Sequence, residues 1–229
     1  MTEIRLDRGE VRLFGTASGA GPTVLLLHAG GEERGVWRPI ADVLNRRGLR
    51  SVAYDLRGHG ASSGEARALQ LIAEDVVAMI RHESAPVVVV GASLGGLAAI
   101  AALADPSAAP AVAGLILVDV VPIPDGPSVR AWLDGRGLRY PTDLVDDILA
   151  QGPALLATAT DLTVPIMLVR AGPASPLTDA DTDRFLAAVP ALTITHIPTA
   201  SHLIARDAPN QLANLIVPQA TTWLKSRLG

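Results

Sequence analysis

Val87-Val88-Val89-Val90-Gly91-Ala92-Ser93-Leu94-Gly95-Gly96-Leu97-Ala98-Ala99-Ile100 passes from a β-branched apolar run, through a serine set between glycines, into a small-residue helix start. The run reads as a buried strand and the segment from Leu94 to Leu103 as a helix. A Gly-x-Ser-x-Gly turn between them presents the serine hydroxyl at the tip of the strand, where it can act as a nucleophile. Glycine is expected at positions 91 and 95 because in a turn this tight side chains at the two positions would collide with each other. Leu94 offers its backbone N–H at the start of a helix, a place that stabilises developing negative charge. A glycine-rich strand–helix turn without chemistry is the alternative reading of the same residues.

Outward from this stretch, strand-like runs alternate with helical patterns, which predicts a mostly parallel, twisted sheet with helices on both faces. Ile4–Leu6 and Val11–Phe14 read as an N-terminal hairpin. Further strands are expected at Thr23–His28, Leu49–Asp55, Gly114–Asp119, Ile166–Arg170 and Leu192–Ile197. Helices are expected at Val36–Arg47, Leu69–His82, Asp181–Val189 and roughly Pro209–Leu228. Residues 120–164 break the alternation with Pro122, Pro124, Pro127, Pro141 and Pro153, leaving two short helices near Val129–Leu133 and Asp143–Ala150. This stretch is either a long connection or a short lid inserted into one α/β domain spanning residues 1–229.

Composition narrows the function. The chain has 229 residues, 49% of them hydrophobic, enough for one substantial core. A net charge of −4 gives no electrostatic footprint for nucleic acid. There is no cysteine, hence no disulfide or thiolate chemistry. Met1–Arg8 is charged rather than apolar and does not read as a signal peptide. The longest apolar region, Leu97–Val121, is interrupted by Asp105, Pro106 and Pro110, so no membrane span is expected. A cytoplasmic location is the expectation, and the oligomeric state is open. No metal-ligand spacing is legible and no cofactor is called for; Asp143, Asp146 and Asp147 read as a solvated helix face.

A nucleophilic serine needs a base and an acid to orient that base. His202, in the loop Pro198-Thr199-Ala200-Ser201-His202 after the last strand, lies at the same carboxyl edge of the sheet as Ser93. The other histidines have plainer readings. His28 and His59 hold loops, His82 closes a helix, and His196 lies within a strand.

Taken together, Leu27-His28-Ala29-Gly30-Gly31, Tyr54-Asp55-Leu56-Arg57-Gly58-His59-Gly60-Ala61-Ser62, Gly91–Gly95, Leu117-Val118-Asp119 and Ala200-Ser201-His202 resemble the α/β-hydrolase family over nearly the whole chain. The resemblance implies the triad order serine, acid, histidine. The position at which most members carry the acid, three residues after a glycine, holds Ser175 here. A serine cannot carry the required negative charge. The family's second acid site, at the end of the strand after the nucleophile helix, holds Asp119, and burial of that carboxylate would demand a partner. Asp179 is the other candidate. The resemblance also implies Gly30 as the second oxyanion donor beside Leu94; a phosphate-binding loop, the other use of such glycines, lacks its lysine here.

These residues lead to the expectation of a serine hydrolase acting on a small-molecule ester or lactone through an acyl-enzyme on Ser93. C–C, amide or thioester hydrolysis and peracid formation could use the same triad, and a non-enzymatic small-molecule receptor could keep it. Trp37, Trp132, Leu133, Leu138 and Tyr140 are the expected pocket walls, beneath a lid short enough to leave the mouth open.

Overall fold

The structure, a computed structural model, describes residues 1–135 and 142–228. In chain order its elements are β1 (Thr2–Arg8), β2 (Val11–Ser18), β3 (Thr23–Leu27), α1 (Arg38–Arg46), β4 (Arg50–Tyr54), α2 (Leu69–His82), β5 (Val87–Ala92), α3 (Leu94–Ala102), β6 (Val112–Val118), α4 (Gly126–Gly135), α5 (Thr142–Ala150), α6 (Gly152–Asp161), β7 (Ile166–Ala171), α7 (Asp179–Ala188), β8 (Thr193–Ile197), α8 (Ile204–Asp207) and α9 (Pro209–Leu228). The strands form one sheet in the order β1-β2-β4-β3-β5-β6-β7-β8. Only the β1–β2 and β2–β4 pairs are antiparallel; the remaining pairs are parallel.

The period-two alternation of strand side chains divides the core into two layers. Val87 and Val89 of β5, with Leu115 and Leu117 of β6, pack against α2 and α3 on one face. Val88, Val90, Ile116 and Val118 pack on the other, with Ile40 and Leu44 of α1 and Leu212 and Ile216 of α9. A sheet covered on both sides must be apolar on both, which is why β5 and β6 are unbroken apolar runs.

The order of the strands sets the site. From β3 the chain moves outward to β4 and then returns to the opposite side of β3 as β5. The loops leaving β3 and β5 therefore diverge at their carboxyl ends and open a crevice between them, where ligands settle in open α/β sheets.

Several boundaries differ from the sequence expectation for local reasons. A 3₁₀ turn, Arg34–Trp37, precedes α1, which begins with a proline in its first turn. α7 starts at Asp179 because Thr178 caps it and Asp181 returns the bond to Thr178 in a capping box. The unexpected elements are α6, where Pro153 opens the helix instead of breaking it, and the one-turn α8 just after His202. Among the described residues, no helix is long and apolar enough to cross a membrane.

Candidate active site

Ser93 stands between β5 and α3 with φ 46° and ψ −114°, a left-handed backbone that a side chain rarely adopts. Its glycine neighbours permit this. A Cβ on Gly91 would lie 2.5 Å from Gly96 Cα, and one on Gly95 would lie 2.5 Å from the Leu27 carbonyl oxygen. The two positions are thus confined by different walls, the elbow's own backbone and β3, rather than by each other.

Asp119 follows β6 and also has a positive φ, 53°. It is 2% exposed, and its carboxylate is fully engaged. Oδ1 accepts the Ala171 N–H at 2.7 Å, and Oδ2 accepts both His202 Nδ1–H at 2.8 Å and the Ser175 hydroxyl. Assigning the proton to Nδ1 follows from the acceptor-only carboxylate. The Ser175 hydroxyl, at the position where the resemblance implied an acid, thus donates to the acid candidate. Asp179 stands elsewhere: its side chain is 91% exposed and ion-paired with Arg170 at 2.6 Å, which holds its carboxyl below the usual range.

His202 is held in its loop from both ends. Gly172 N–H donates to the Ala200 carbonyl at 2.9 Å, and Ser201 N–H donates to Asp207 at 3.0 Å. Ser93, Leu94, Gly30, Asp119 and His202 all line one cavity. Ser93 and His202 line this cavity together without a direct hydrogen bond between them. Gly30 and the first residue of α3 flank Ser93 from the two diverging loops.

The loop after β3 is pinned from below. His28, fully buried, bridges the Ala29 carbonyl at 2.7 Å and the Leu56 N–H at 2.9 Å. One nitrogen donates and the other accepts, so the ring is neutral, and burial lowers its pKa to about 4. Asp55 accepts the Arg34 N–H at 2.7 Å and the Ala61 N–H at 2.8 Å. A Cβ on Gly60 would strike that carboxylate at 2.3 Å. The Tyr54–Ser62 motif is therefore scaffolding that fixes the loop carrying Gly30. Glu32, at the rim of this loop, has its carboxyl raised, chiefly by burial and against the Ala29 N–H and Arg206.

The rest of the cavity is apolar. Val120, Val121 and Pro124 come from the segment after β6, Val129, Trp132 and Leu133 from the α4 side, and Leu144, Val145, Ile148 and Leu149 from α5. Ala29, Leu97, Pro176, Leu177 and Leu203 complete it, with no lysine or arginine among the described lining residues. The two expected wall residues Trp132 and Leu133 are there. Trp37 is not: it is fully buried on the α1 face of the sheet, in the core with Ile40 and Leu44. The spacing 37, 40, 41, 44 is that of a buried helical face and marks this tryptophan as core. Leu138 and Tyr140 lie outside the described residues. The contributions of Val120, Val121 and α5 were not anticipated; the apolar i, i+4 pair Leu144 and Ile148 was the available signal. Among the described residues, no group of three or more His, Asp or Glu side chains converges to hold a metal ion.

The sequence profile described as alpha/beta hydrolase fold matches residues 22–210, and the chain belongs to that family. Among curated relatives, protein phosphatase methylesterase 1 of Bos taurus is 36% identical over 109 residues, covering 44% of this chain and 28% of the relative. The chain thus spans under a third of the length of that relative. Among solved structures, E-2-(acetamidomethylene)succinate hydrolase superposes with a TM-score of 0.78 at 21% identity, over 95% of this chain and 98% of the other. A thermophilic esterase from Thermogutta terrifontis gives a TM-score of 0.73 at 20% identity, over 98% of this chain and 100% of the other. At these identities the structural likeness shows the fold.

Proposed function

We propose that this chain is a serine hydrolase that cleaves neutral, apolar carboxylic esters, lactones included. The observation that carries this reading is the bond between the buried Asp119 carboxylate and His202 Nδ1, at 2.8 Å, on the wall of the cavity that also takes Ser93. Asp119 fixes the tautomer that leaves His202 Nε2 able to accept a proton. Ser93 Oγ attacks the ester carbonyl as His202 takes its proton. The carbonyl oxygen becomes an oxyanion between the Gly30 and Leu94 N–H groups. His202 then protonates the departing alkoxide, and the acyl group remains on Ser93. Water, deprotonated by His202, attacks the acyl-enzyme and releases the acid.

The lining supports the substrate class. A carboxylate or phosphate on the acyl group would lose its hydration and meet no lysine or arginine among the described lining residues. Esters whose acyl side is uncharged, methyl esters among them, suffer no such loss. The esterase and methylesterase names of the relatives agree with an ester. Residues 120–164, which place α4 and α5 along the cavity, act as a short lid.

The test is Ser93→Ala, expected to lower kcat by about 10⁶-fold, as in reference triads, while the fold is retained. Intact-mass spectrometry after treatment with an organophosphonate should show one adduct, at Ser93. A panel of p-nitrophenyl esters and lactones identifies the substrate range. Full activity in Ser93→Ala excludes the serine mechanism. At most about one product per protein molecule would instead indicate a ligand receptor.

A further inference from the structure

Trp132 belongs to α4, yet its indole reaches two parts of the triad's support. Its Nε1–H donates to the Ala174 carbonyl at 3.1 Å. Its ring lies edge-to-face with the imidazole of His202, with centroids 4.6 Å apart and planes at 71°. Ala174 immediately precedes Ser175, whose hydroxyl bonds to Asp119. One side chain of the 120–164 segment therefore contacts the base directly and the acid's neighbour through a single peptide.

An imidazole anchored only at Cβ and by one bond at Nδ1 can still rock about the line joining them. That motion leaves the Asp119 bond nearly intact but sweeps Nε2 away from Ser93. A large ring standing almost perpendicular to the imidazole blocks it, and edge-to-face geometry is the favoured contact for two such rings. The tie to Ala174 fixes the indole in turn. We infer that Trp132 is a positioning residue for His202, so that the base is aligned only while α4 is seated over the site. This rests on the serine-hydrolase reading for its catalytic consequence, but not for its structural one.

A simple pocket wall and a positioning residue make different predictions. A wall contributes to binding of acyl groups long enough to touch it, and its loss raises KM for those alone. Loss of positioning lowers kcat for every substrate, because a displacement of about 1 Å can cost on the order of 100-fold. Trp132→Ala and Trp132→Leu should therefore lower kcat about 10- to 100-fold equally for p-nitrophenyl acetate and butyrate, with KM little changed. Trp132→Phe keeps a ring against His202 but loses the tie to Ala174, and its kcat should fall between those of the wild type and Trp132→Ala.

A readout without substrate accompanies these rates. The His202 Nδ1–H proton should give a far-downfield NMR signal, assigned by its absence in His202→Gln. The signal should broaden in the Ala and Leu variants and broaden less in the Phe variant, with thermal melts confirming that each is folded. A loss confined to longer acyl groups, or to KM, overturns the inference, and so does an unchanged NMR signal in Trp132→Ala. If the NMR pattern holds while the wild type turns over no ester, the positioning role stands and the ester reading fails.

Discussion

Replacing Asp119 by asparagine tests the site at its most constrained point. Asparagine tolerates the left-handed backbone at φ 53°, so the strand end should keep its course. The amide oxygen can take over the Ala171 N–H bond now made by Oδ1 at 2.7 Å. The amide nitrogen then occupies the place of Oδ2, which accepts from His202 Nδ1 and from the Ser175 hydroxyl. A donor now faces two donors. Ser175 can rotate its hydroxyl to accept, whereas His202 must present a bare Nδ1 and move its proton to Nε2. The nitrogen facing Ser93 is then protonated and cannot act as base. In the reference triad this change costs about 10⁴-fold in kcat, or about 5 kcal/mol of barrier. Steady-state hydrolysis of the best p-nitrophenyl ester is the assay, with circular dichroism and a thermal melt to show that the variant is folded. Asp179→Asn, at a 91% exposed side chain, is the control and should be nearly silent. A folded Asp119→Asn protein within tenfold of the wild type, or a crippled Asp179→Asn, would refute the assignment.

Acid should weaken the fold through His28. Its folded pKa of about 4 lies below its ordinary 6.5, so the unfolded chain binds the extra proton first. The contribution is complete above about pH 6.5 and is lost as pH falls through about 4, on the order of 3 kcal/mol in all. Urea titrations from pH 7.5 to 4 should show a loss of this size that His28→Gln lacks, and equal slopes in the two proteins would count against it. Gly95→Ala places a Cβ 2.5 Å from the Leu27 carbonyl and 2.8 Å from that of His28; both activity and melting temperature should fall, the latter reflecting about 1–3 kcal/mol of strain. If the lid leaves the mouth of the site open, kcat/KM should change gradually from acetyl to large aromatic esters, and a steep collapse for the bulky ones would show a closed pocket.

What the sequence made legible follows from how local each signal is. The elbow is written in five consecutive residues, Gly91–Gly95, and both its strand and its helix announce themselves by composition. Asp119 stood out because an aspartate closes an apolar run, and because Ser175 occupies the usual acid position. That Ser175 then bonds to Asp119 depends on two strand ends meeting across the sheet, which no local pattern encodes. The same holds for Trp132, whose partners Ala174 and His202 lie far along the chain. Trp37 went astray through proximity in sequence: it neighbours the loop carrying Gly30, but the 3₁₀ turn rotates it into the opposite layer of the core. α6 was hidden because Gly152-Pro153 reads equally as a turn and as a helix start, and only the packing of Leu155 and Ala159 beneath it distinguishes the two.

Ser93 and Asp119 are the non-glycine residues with positive φ in the described structure. Such backbone costs on the order of 1–3 kcal/mol per residue, but the two positions differ in what glycine would do. At 119 it would remove the acceptor of three buried donors, whose loss costs as much as the strain. At 93 it would relieve the backbone and give up only the nucleophile. Selection for stability and selection for catalysis therefore pull in opposite directions at codon 93. A laboratory population screened only for heat resistance should accumulate glycine there and keep Asp119. A natural descendant released from its chemistry would drift the same way, and glycine at 93 beside an intact Asp119 and His202 would mark it as a former enzyme.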